Sequence, residues 1–170
     1  MRLLIAGATG LVGQGVLHEA LADPRVERIA ALLRRPIDRE DARLQRLVVA
    51  DFAHLSAVEP QLAPYDACLY CAGAVPVGTP ESEYRHVTLE LTLHVARAYA
   101  QRNPQGRFLY ISGAGSNPGS RIMQLRIKGE TERALQALPI ATTMLRTGGI
   151  QPVHGETSPH PWLKPLYAVG

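Results

Sequence analysis

Short apolar runs alternate with longer helical patterns along this chain. The apolar runs are four to six residues long, a length typical of strands buried on both faces of a sheet, and they lie at Leu3–Ala6, Ile29–Leu33, Leu47–Ala50, Ala67–Ala72, Phe108–Ile111 and Ala141–Leu145. The helical patterns lie at Leu11–Ala22, Glu81–Gln101 and Arg121–Leu138. Strands that alternate with helices form parallel sheets. We therefore predict an α/β fold in three layers, with a doubly wound parallel sheet of about six strands.

The composition is that of one ordinary globular domain. A chain of 170 residues with 46% hydrophobic content can build one core. The net charge of +3 is small and the basic residues are scattered, which disfavours a nucleic-acid surface. No apolar run approaches the roughly 18 residues of a membrane span, and no secretory signal is recognisable. We expect a single domain over 1–170 without a separate substrate domain, located in the cytoplasm, with no nucleic-acid or membrane partner.

Two cysteines, Cys68 and Cys71, have the C-x-x-C spacing of thioredoxin-like and zinc sites. They lie inside a strand-like run, where alternate residues point to opposite faces, whereas a redox pair belongs at a helix start. A zinc site would also need two further ligands nearby. We predict that both are buried structural cysteines.

A glycine-rich turn, Gly7-Ala8-Thr9-Gly10-Leu11-Val12-Gly13, joins the first strand to the first helix. Gly7 can adopt the turn conformation, Gly10 leaves no side chain in the way of a phosphate, and Gly13 lets the helix lie close to the sheet. The N-terminus of the helix attracts the anion. The turn therefore predicts a Rossmann-type dinucleotide site.

The end of the second strand indicates which dinucleotide is bound. An acidic residue about 20 residues after the glycine turn binds the ribose 2′-hydroxyl of NAD. Here the chain reads Arg34-Arg35-Pro36, and two guanidinium groups can hold a 2′-phosphate; two solvated loop arginines are the alternative. We predict that NADP(H) is preferred and that NAD(H) is possible. Asp51 and Phe52, after the third strand, either meet the adenine or are only a turn residue and a core residue.

In the order in which they occur, these segments resemble the short-chain dehydrogenase/reductase superfamily, in the atypical and extended branch that includes NAD(P)-dependent epimerase/dehydratase-like proteins. The resemblance covers about Leu3 to Pro152. It also rests on Cys71-Ala72-Gly73, Phe108-Leu109-Tyr110-Ile111-Ser112, Lys128-Gly129-Glu130 and Leu145-Arg146-Thr147-Gly148-Gly149-Ile150. It implies that the glycine turn, including Thr9, Leu11 and Val12, and the segment Cys71-Ala72-Gly73 bind the cofactor, and that Gly149 and Ile150 meet the nicotinamide.

In that family a serine, a tyrosine and a lysine four residues after the tyrosine carry the chemistry. Lys128 matches the lysine and is expected to hold the nicotinamide ribose; an exposed helix lysine is the alternative. Gln124 stands at the tyrosine position and cannot titrate. The serine position falls on Ser112 or, in an alignment from Phe108 onward, on Gly113. His154, in the loop expected to approach the nicotinamide, is a further candidate proton donor.

The six histidines form no predicted metal site. His86 and His94 are eight residues apart on a predicted helix, too far for joint coordination from adjacent turns. We therefore expect surface or packing roles for the histidines other than His154.

The resemblance implies an NADP(H)-dependent oxidoreductase or epimerase-like enzyme that acts on an unknown small molecule without the usual tyrosine. Two alternatives stay open: a flavin or biliverdin-type reductase, in which solvent protonates the acceptor, and a non-catalytic NADP(H)-binding sensor or regulator. We expect 151–170 to be a short tail that packs near the cofactor site, and the protein to be a monomer or a homodimer.

Overall fold

The computed structural model describes residues 1–157 of this chain. Its strands are β1 (Arg2–Ala6), β2 (Arg28–Leu33), β3 (Leu44–Val48), β4 (Ala67–Tyr70), β5 (Arg107–Gly113) and β6 (Ala141–Thr147). Its helices are α1 (Leu11–Ala22), α2 (Glu81–Arg85), α3 (Leu91–Arg102) and α4 (Met123–Gln136), with a 3₁₀ turn at Glu59–Gln61. All strand pairs are parallel, in the order β3-β2-β1-β4-β5-β6. The predicted α/β fold is confirmed.

Two apolar cores bury the sheet, one on each face. Alternate residues of a strand point to opposite faces. In β1, Leu3 and Ile5 belong to the core that includes Leu17 of α1. Leu4 and Ala6 belong to the opposite core, which is built with α3 and α4. This division explains why the strands read as continuous apolar runs rather than as alternating ones.

The third strand starts earlier than its apolar run predicts. The sequence predicts Leu47–Ala50, but β3 spans Leu44–Val48. The reason is its position, because β3 is an edge strand that pairs only with β2. An edge strand has an exposed side that accepts polar residues such as Gln45 and Arg46, so the apolar run marks only part of it.

The second predicted helix, Glu81–Gln101, is present as three consecutive pieces. A π-helical turn at His86–Glu90 joins α2 to α3. Tyr84 before the turn and Val95 after it are both buried, at 1% and 0% exposure. The three-and-four spacing of apolar residues therefore located the helix correctly, although it did not reveal the wider turn.

The segment after β6 crosses the outer side of α1. Gln14 Nε2 donates to the carbonyl of Thr157 at 2.8 Å, and Thr157 N donates to Gln14 Oε1 at 3.2 Å. The rest of the predicted tail, 158–170, lies outside the described residues. Among residues 1–157, no helix has the length and hydropathy needed to cross a bilayer.

Candidate functional site

The glycine turn lies where the strand order reverses, between β1 and β4, and two of its glycines have no room for a side chain. Gly7 has a φ of 84°, and a Cβ there would lie 2.5 Å from the backbone nitrogen of Ala72. A Cβ at Gly13 would lie 2.1 Å from the carbonyl oxygen of Gly7. These contacts hold the turn against the start of α1 and the end of β4. The roles predicted for Gly7 and Gly13 are confirmed.

Gly10 differs from its two neighbours because the space beside it is open. A Cβ at this position would meet only the carbonyl oxygen of Gly7, at an ordinary 3.5 Å. Gly10 is the N-cap of α1 with an extended φ of −79°, and it supplies no capping side chain. The protein itself therefore permits a side chain at this position. A group that approaches the turn from outside would require glycine here.

The N-terminus of α1 can receive an anion. The first helical hydrogen bond runs from Gln14 N to Gly10 O, at 2.9 Å. The N–H groups of Leu11, Val12 and Gly13 therefore have no acceptor within the helix. The first turn contains no acidic residue. These N–H groups and the helix dipole suit the pyrophosphate of a dinucleotide.

A cleft of about 400 Å³ extends from this turn across the ends of β2 and β4. Arg34 and Arg35 border it on the β2 side, and both are exposed. The described residues that line it include no carboxylate; they are Gly7, Thr9, Gly10, Leu32, Leu33, Arg34, Arg35, Phe52, Tyr70, Cys71, Ala72, Gly73, Val87 and Leu91. A cleft of this size and length fits the adenosine half of a dinucleotide.

Asp51 and Phe52 have different positions. Phe52 is 4% exposed and lines the cleft, with its ring 6.4 Å from that of Tyr70. Asp51 does not line the cleft, and its Oδ1 accepts the backbone N–H of Ala53 at 3.0 Å. This carboxylate oxygen stabilises the turn after β3; Phe52 lines the cleft, and an adenine contact of Asp51 stays a prediction.

Both cysteines are free thiols that burial holds in the protonated form. Cys68 is 0% exposed, and burial raises the pKa of its thiol well above the usual value. Cys71 borders the cleft, and burial raises the pKa of its thiol to about 12. A thiol with a raised pKa is a poor nucleophile and a poor metal ligand. The prediction of a buried cysteine is confirmed for Cys68, whereas Cys71 is only partly buried at the edge of the cleft.

A second cavity of about 360 Å³ lies beside the ends of β5 and β6. Gln124 and Lys128 project into it from successive turns of α4. Its lining also includes Tyr84, Gly113, Thr147 and Ile150. The sequence interpretation did not place Tyr84 here, because this residue comes from another helix and only the packing of α2 against α4 brings it close.

Lys128 is partly buried at this cavity. Its Nζ donates a long hydrogen bond of 3.4 Å to the carbonyl oxygen of Ile111. Burial lowers the pKa of Lys128, and the charge of Glu132 one turn further on opposes that shift. The exposed helix lysine that the sequence left open is therefore excluded. Lys128 presents an ammonium donor to any hydroxyl groups bound above β5.

Ser112 is among the residues that line this cavity, but its side chain is not accessible from it. The residue is 0% exposed, and its Oγ lies 3.0 Å from Ser116 Oγ in the protein interior. The next position, Gly113, also lines the cavity, and a Cβ there would lie 3.8 Å from Lys128 Nζ. The alternation of a strand explains the difference. The Ser112 hydroxyl is thus buried, and Gly113 beside Lys128 has no hydroxyl, so a catalytic role of Ser112 stays a prediction.

An ion pair between the exposed Arg146 and the buried Glu132 supports the same helix and was not predicted. Arg146 Nε donates to Glu132 Oε1 at 3.0 Å, and Arg146 Nη2 donates to Oε2 at 2.6 Å. Burial by itself raises the pKa of Glu132, but hydrogen bonds from Arg146 and Ser112 outweigh it and keep the pKa lowered. The sequence indicated only that Lys128 and Glu132, four residues apart on α4, lie next to each other on one face of the helix.

The loop after β6 begins at the Lys128 cavity and then continues to α1. Ile150 lines the Lys128 cavity, whereas Gly149 is not part of its lining and has open space around it, so the predicted nicotinamide contacts of both stay predictions. His154 lies against α1, with its ring 4.0 Å from the ring of His18. Its predicted position beside the nicotinamide is corrected, because the loop turns away from the cavity after Ile150.

Curated relatives match most of this chain. It is 28% identical over 164 residues to the "Protein FMP52, mitochondrial" of Eremothecium gossypii, and the alignment covers 94% of this chain and 70% of that protein. The protein of the same name from Saccharomyces cerevisiae is 27% identical, over 92% of this chain and 67% of its own length. The "Leucinostatins biosynthesis cluster protein T" of Purpureocillium lilacinum is 24% identical, over 98% of this chain and 71% of its own length.

These relatives contradict the predicted cytoplasmic location, because FMP52 proteins from several fungi are named as mitochondrial. The prediction rested on the lack of a recognisable targeting segment. The lack of such a segment does not identify a compartment, because the fold of a domain does not specify where in the cell it is located.

Solved structures share the fold. The Bordetella bronchiseptica enzyme WbmG in complex with NAD and UDP aligns with a TM-score of 0.73 at 16% identity, over 96% of this chain and 58% of that chain. Uronate dehydrogenase from Agrobacterium tumefaciens aligns with a TM-score of 0.61 at 22% identity, over 78% of this chain and 53% of that chain. This chain thus spans between half and three-fifths of their length.

The glycine turn, the open N-terminus of α1 and the adjoining cleft together fit a dinucleotide cofactor. The NAD dependent epimerase/dehydratase family matches residues 3–130, a segment that contains all of these features. The chain therefore belongs to the NAD dependent epimerase/dehydratase family.

Proposed function

We propose that this chain binds NADP(H) along the carboxyl edge of its sheet and reduces a small acceptor beside Lys128. One observation carries the choice of cofactor: Arg34 and Arg35 border a cleft whose described lining has no carboxylate. A 2′-phosphate needs cationic donors, whereas a 2′-hydroxyl is commonly bound by a carboxylate. Two guanidinium groups at the end of β2 therefore favour the phosphorylated cofactor.

The rest of the cofactor follows from the order of the strands. The pyrophosphate would lie on the N–H groups at the start of α1, and the adenine would lie beside Phe52. The nicotinamide half would extend past Gly73 toward β5, where Lys128 Nζ can donate to the ribose hydroxyls. Thr147 and Ile150 border that end of the path.

The second cavity determines which acceptors suit the site. When bound, NADPH supplies a hydride, and a reduced acceptor then needs one proton to balance the reaction. Gln124 can orient a substrate through its amide but has no proton to give, and Gly113 has no side chain to help. The proton would come from solvent. Acceptors whose reduced form takes a proton from water, such as quinones or flavins, suit this site better than sugars that need an acid.

Removing either arginine is expected to weaken NADPH binding selectively. Loss of one charged hydrogen-bonding group costs about 1.5–3 kcal/mol, so Arg34→Ala and Arg35→Ala should each raise the Kd for NADPH by roughly 10- to 100-fold and change the Kd for NADH much less. Fluorescence titration with both cofactors measures this. Arg39→Ala is the matched control, because Arg39 lies in the same loop but outside this cleft. Equal affinity of the unmodified protein for the two cofactors would rule out the preference.

Turnover is expected with acceptors that need no acid. Purified protein with NADPH and a panel of quinones, flavins and carbonyls should oxidise NADPH faster than a protein-free mixture. Lys128→Met should lower kcat/KM for NADPH at least about tenfold, since it removes the donor to the ribose. Absorbance at 340 nm follows both reactions. NADPH oxidation that is unchanged in Lys128→Met would contradict the assigned position of the nicotinamide.

A second candidate function is a non-catalytic NADP(H)-binding regulator. The buried hydroxyl of Ser112 and the amide of Gln124 favour it, because Gln124 cannot titrate and Ser112 Oγ lies 3.0 Å from Ser116 Oγ instead of being open to the cavity. Under this alternative, NADPH binds with the arginine dependence described above but is not consumed with any acceptor of the panel. Binding and turnover assays on the same preparation therefore distinguish the two functions.

A further inference from the structure

Two histidines and a carboxylate meet beside α1, and none of the three lines the cofactor cleft. His18 and Glu19 are consecutive residues of α1, and His154 reaches them from the loop after β6. The rings of His18 and His154 lie 4.0 Å apart between centroids, at an angle of 19°. His154 Nε2 lies 2.7 Å from Glu19 Oε1. Neither family membership nor the proposed function assigns a role to this cluster.

We propose that His18, Glu19 and His154 form a binding site for a divalent transition-metal ion of the zinc class. One ligand atom from each of the three residues lies within 4.8 Å of the other two. Two imidazole nitrogens and one carboxylate oxygen form a donor set that zinc uses in proteins, with water in the fourth position. Mg²⁺ and Ca²⁺ prefer all-oxygen sites, so this set selects against them.

The loop that carries His154 is held in place independently of a metal. Glu156 Oε2 accepts the backbone N–H groups of Val153 and His154, each at 2.9 Å. Gly155 has a φ of 80°, which gives the loop its tight turn. The paired hydrogen bonds between Gln14 and Thr157 fasten the end of the loop to α1. A helix and an anchored loop thus present the ligands, and little chain has to be ordered on binding.

To complete the coordination, the three donor atoms must move closer together. Metal–ligand distances of about 2.0–2.1 Å place tetrahedral donors roughly 3.3 Å apart. The side chains of His154 and Glu19 are 35% and 68% exposed, so both are free to turn. Asp38, Arg39 and Glu156 line the adjoining cavity, which places two carboxylates and one cation near the cluster. This local charge favours a cation.

The chain contains a matched pair that lacks one ligand. His86 Nδ1 lies 2.7 Å from Glu90 Oε2 on the π-helical turn, at the same distance as His154 from Glu19. Among the described residues, this pair is not part of any three-ligand group. A histidine and a glutamate that only share a hydrogen bond should bind zinc weakly. His86→Ala is therefore the control for a site that depends on three ligands.

The test is a metal titration of tag-free, EDTA-treated full-length protein. Calorimetry with Zn²⁺ should show one site per chain, and Co²⁺ should give a visible absorption band of a low-coordinate site. His18→Ala, His154→Ala and Glu19→Gln should each weaken Zn²⁺ binding at least about tenfold, whereas His86→Ala should leave it unchanged. Zn²⁺ should raise the melting temperature of the unmodified protein but not that of His154→Ala.

Three results would overturn the proposal: no saturable Zn²⁺ binding, equal binding by His154→Ala and the unmodified protein, or an equal loss in His86→Ala. His154→Gln provides a second variant that keeps a polar side chain in the loop. Circular dichroism of each variant in EDTA checks that the fold is intact, and the exposure of these side chains predicts that it is. NADPH binding is not required for any of these measurements, so they stand apart from the proposed function.

Discussion

Gly13→Ala is expected to lower the free energy of unfolding by about 3 kcal/mol, the upper end for an overpacked site. The added Cβ would lie 2.1 Å from Gly7 O, 2.7 Å from Gly7 C and 2.8 Å from Ala8 Cα. All three atoms belong to the backbone of the glycine turn, so no side chain can rotate away to make room. Urea unfolding followed by circular dichroism measures the change.

Gly15→Ala is the matched control, because it adds the same methyl group two residues further along α1. There the nearest atom is Glu156 Oε1 at 3.1 Å, a side-chain atom of the loop after β6 and not part of the backbone of the glycine turn. Alanine also gains up to about 1 kcal/mol over glycine within a helix. Gly15→Ala should therefore be as stable as the unmodified protein or more stable. Equal stability of the two variants would show that α1 can move away from the turn.

Gly10→Val is expected to abolish cofactor binding while the fold is kept. The extended backbone of Gly10 accepts a β-branched residue, and an added Cβ meets nothing closer than 3.5 Å. The valine would, however, fill the space in front of the N–H groups of Leu11 and Val12, where the pyrophosphate must lie. We expect the Kd for NADPH to rise at least about 100-fold, which corresponds to roughly 2.7 kcal/mol. Fluorescence titration measures it.

Gly119→Val is the control for this variant, since Gly119 lies in a loop that lines neither cavity. Its nearest atom for an added Cβ is Asn117 Oδ1, at 3.4 Å. The melting temperature of Gly10→Val should stay within a few degrees of the unmodified protein, because an N-cap change from glycine costs about 1 kcal/mol. Unchanged NADPH affinity in Gly10→Val would place the pyrophosphate elsewhere.

The contrast between Gly10 and Gly13 shows what a local pattern can predict. Each of them follows the preceding glycine of the motif by three residues, yet the sequence assigns them different roles. The structure supports that assignment through the different space around each position. The prediction succeeded because the turn is built from residues close in sequence, whose backbone contacts depend on few others.

The second cavity shows the opposite case. The sequence identifies Lys128 and Gln124 because they are one turn apart on one helix. It could not decide between Ser112 and Gly113, since that choice depends on which face of β5 meets α4. Tyr84 was missed because α2 lies more than 40 positions before Lys128 in the chain. In each case the missing information is a contact between distant elements.

By itself, the sequence determined the α/β alternation, the parallel sheet, the glycine turn and the paired arginines of this protein. Each of these depends on local sterics, on the period of the hydrophobic pattern or on the chemistry of neighbouring residues. Only the tertiary structure decided that Ser112 is buried, that Glu132 pairs with Arg146 and that His154 meets His18. Such contacts join residues that are distant in the chain, and the packing of whole helices and strands fixes them.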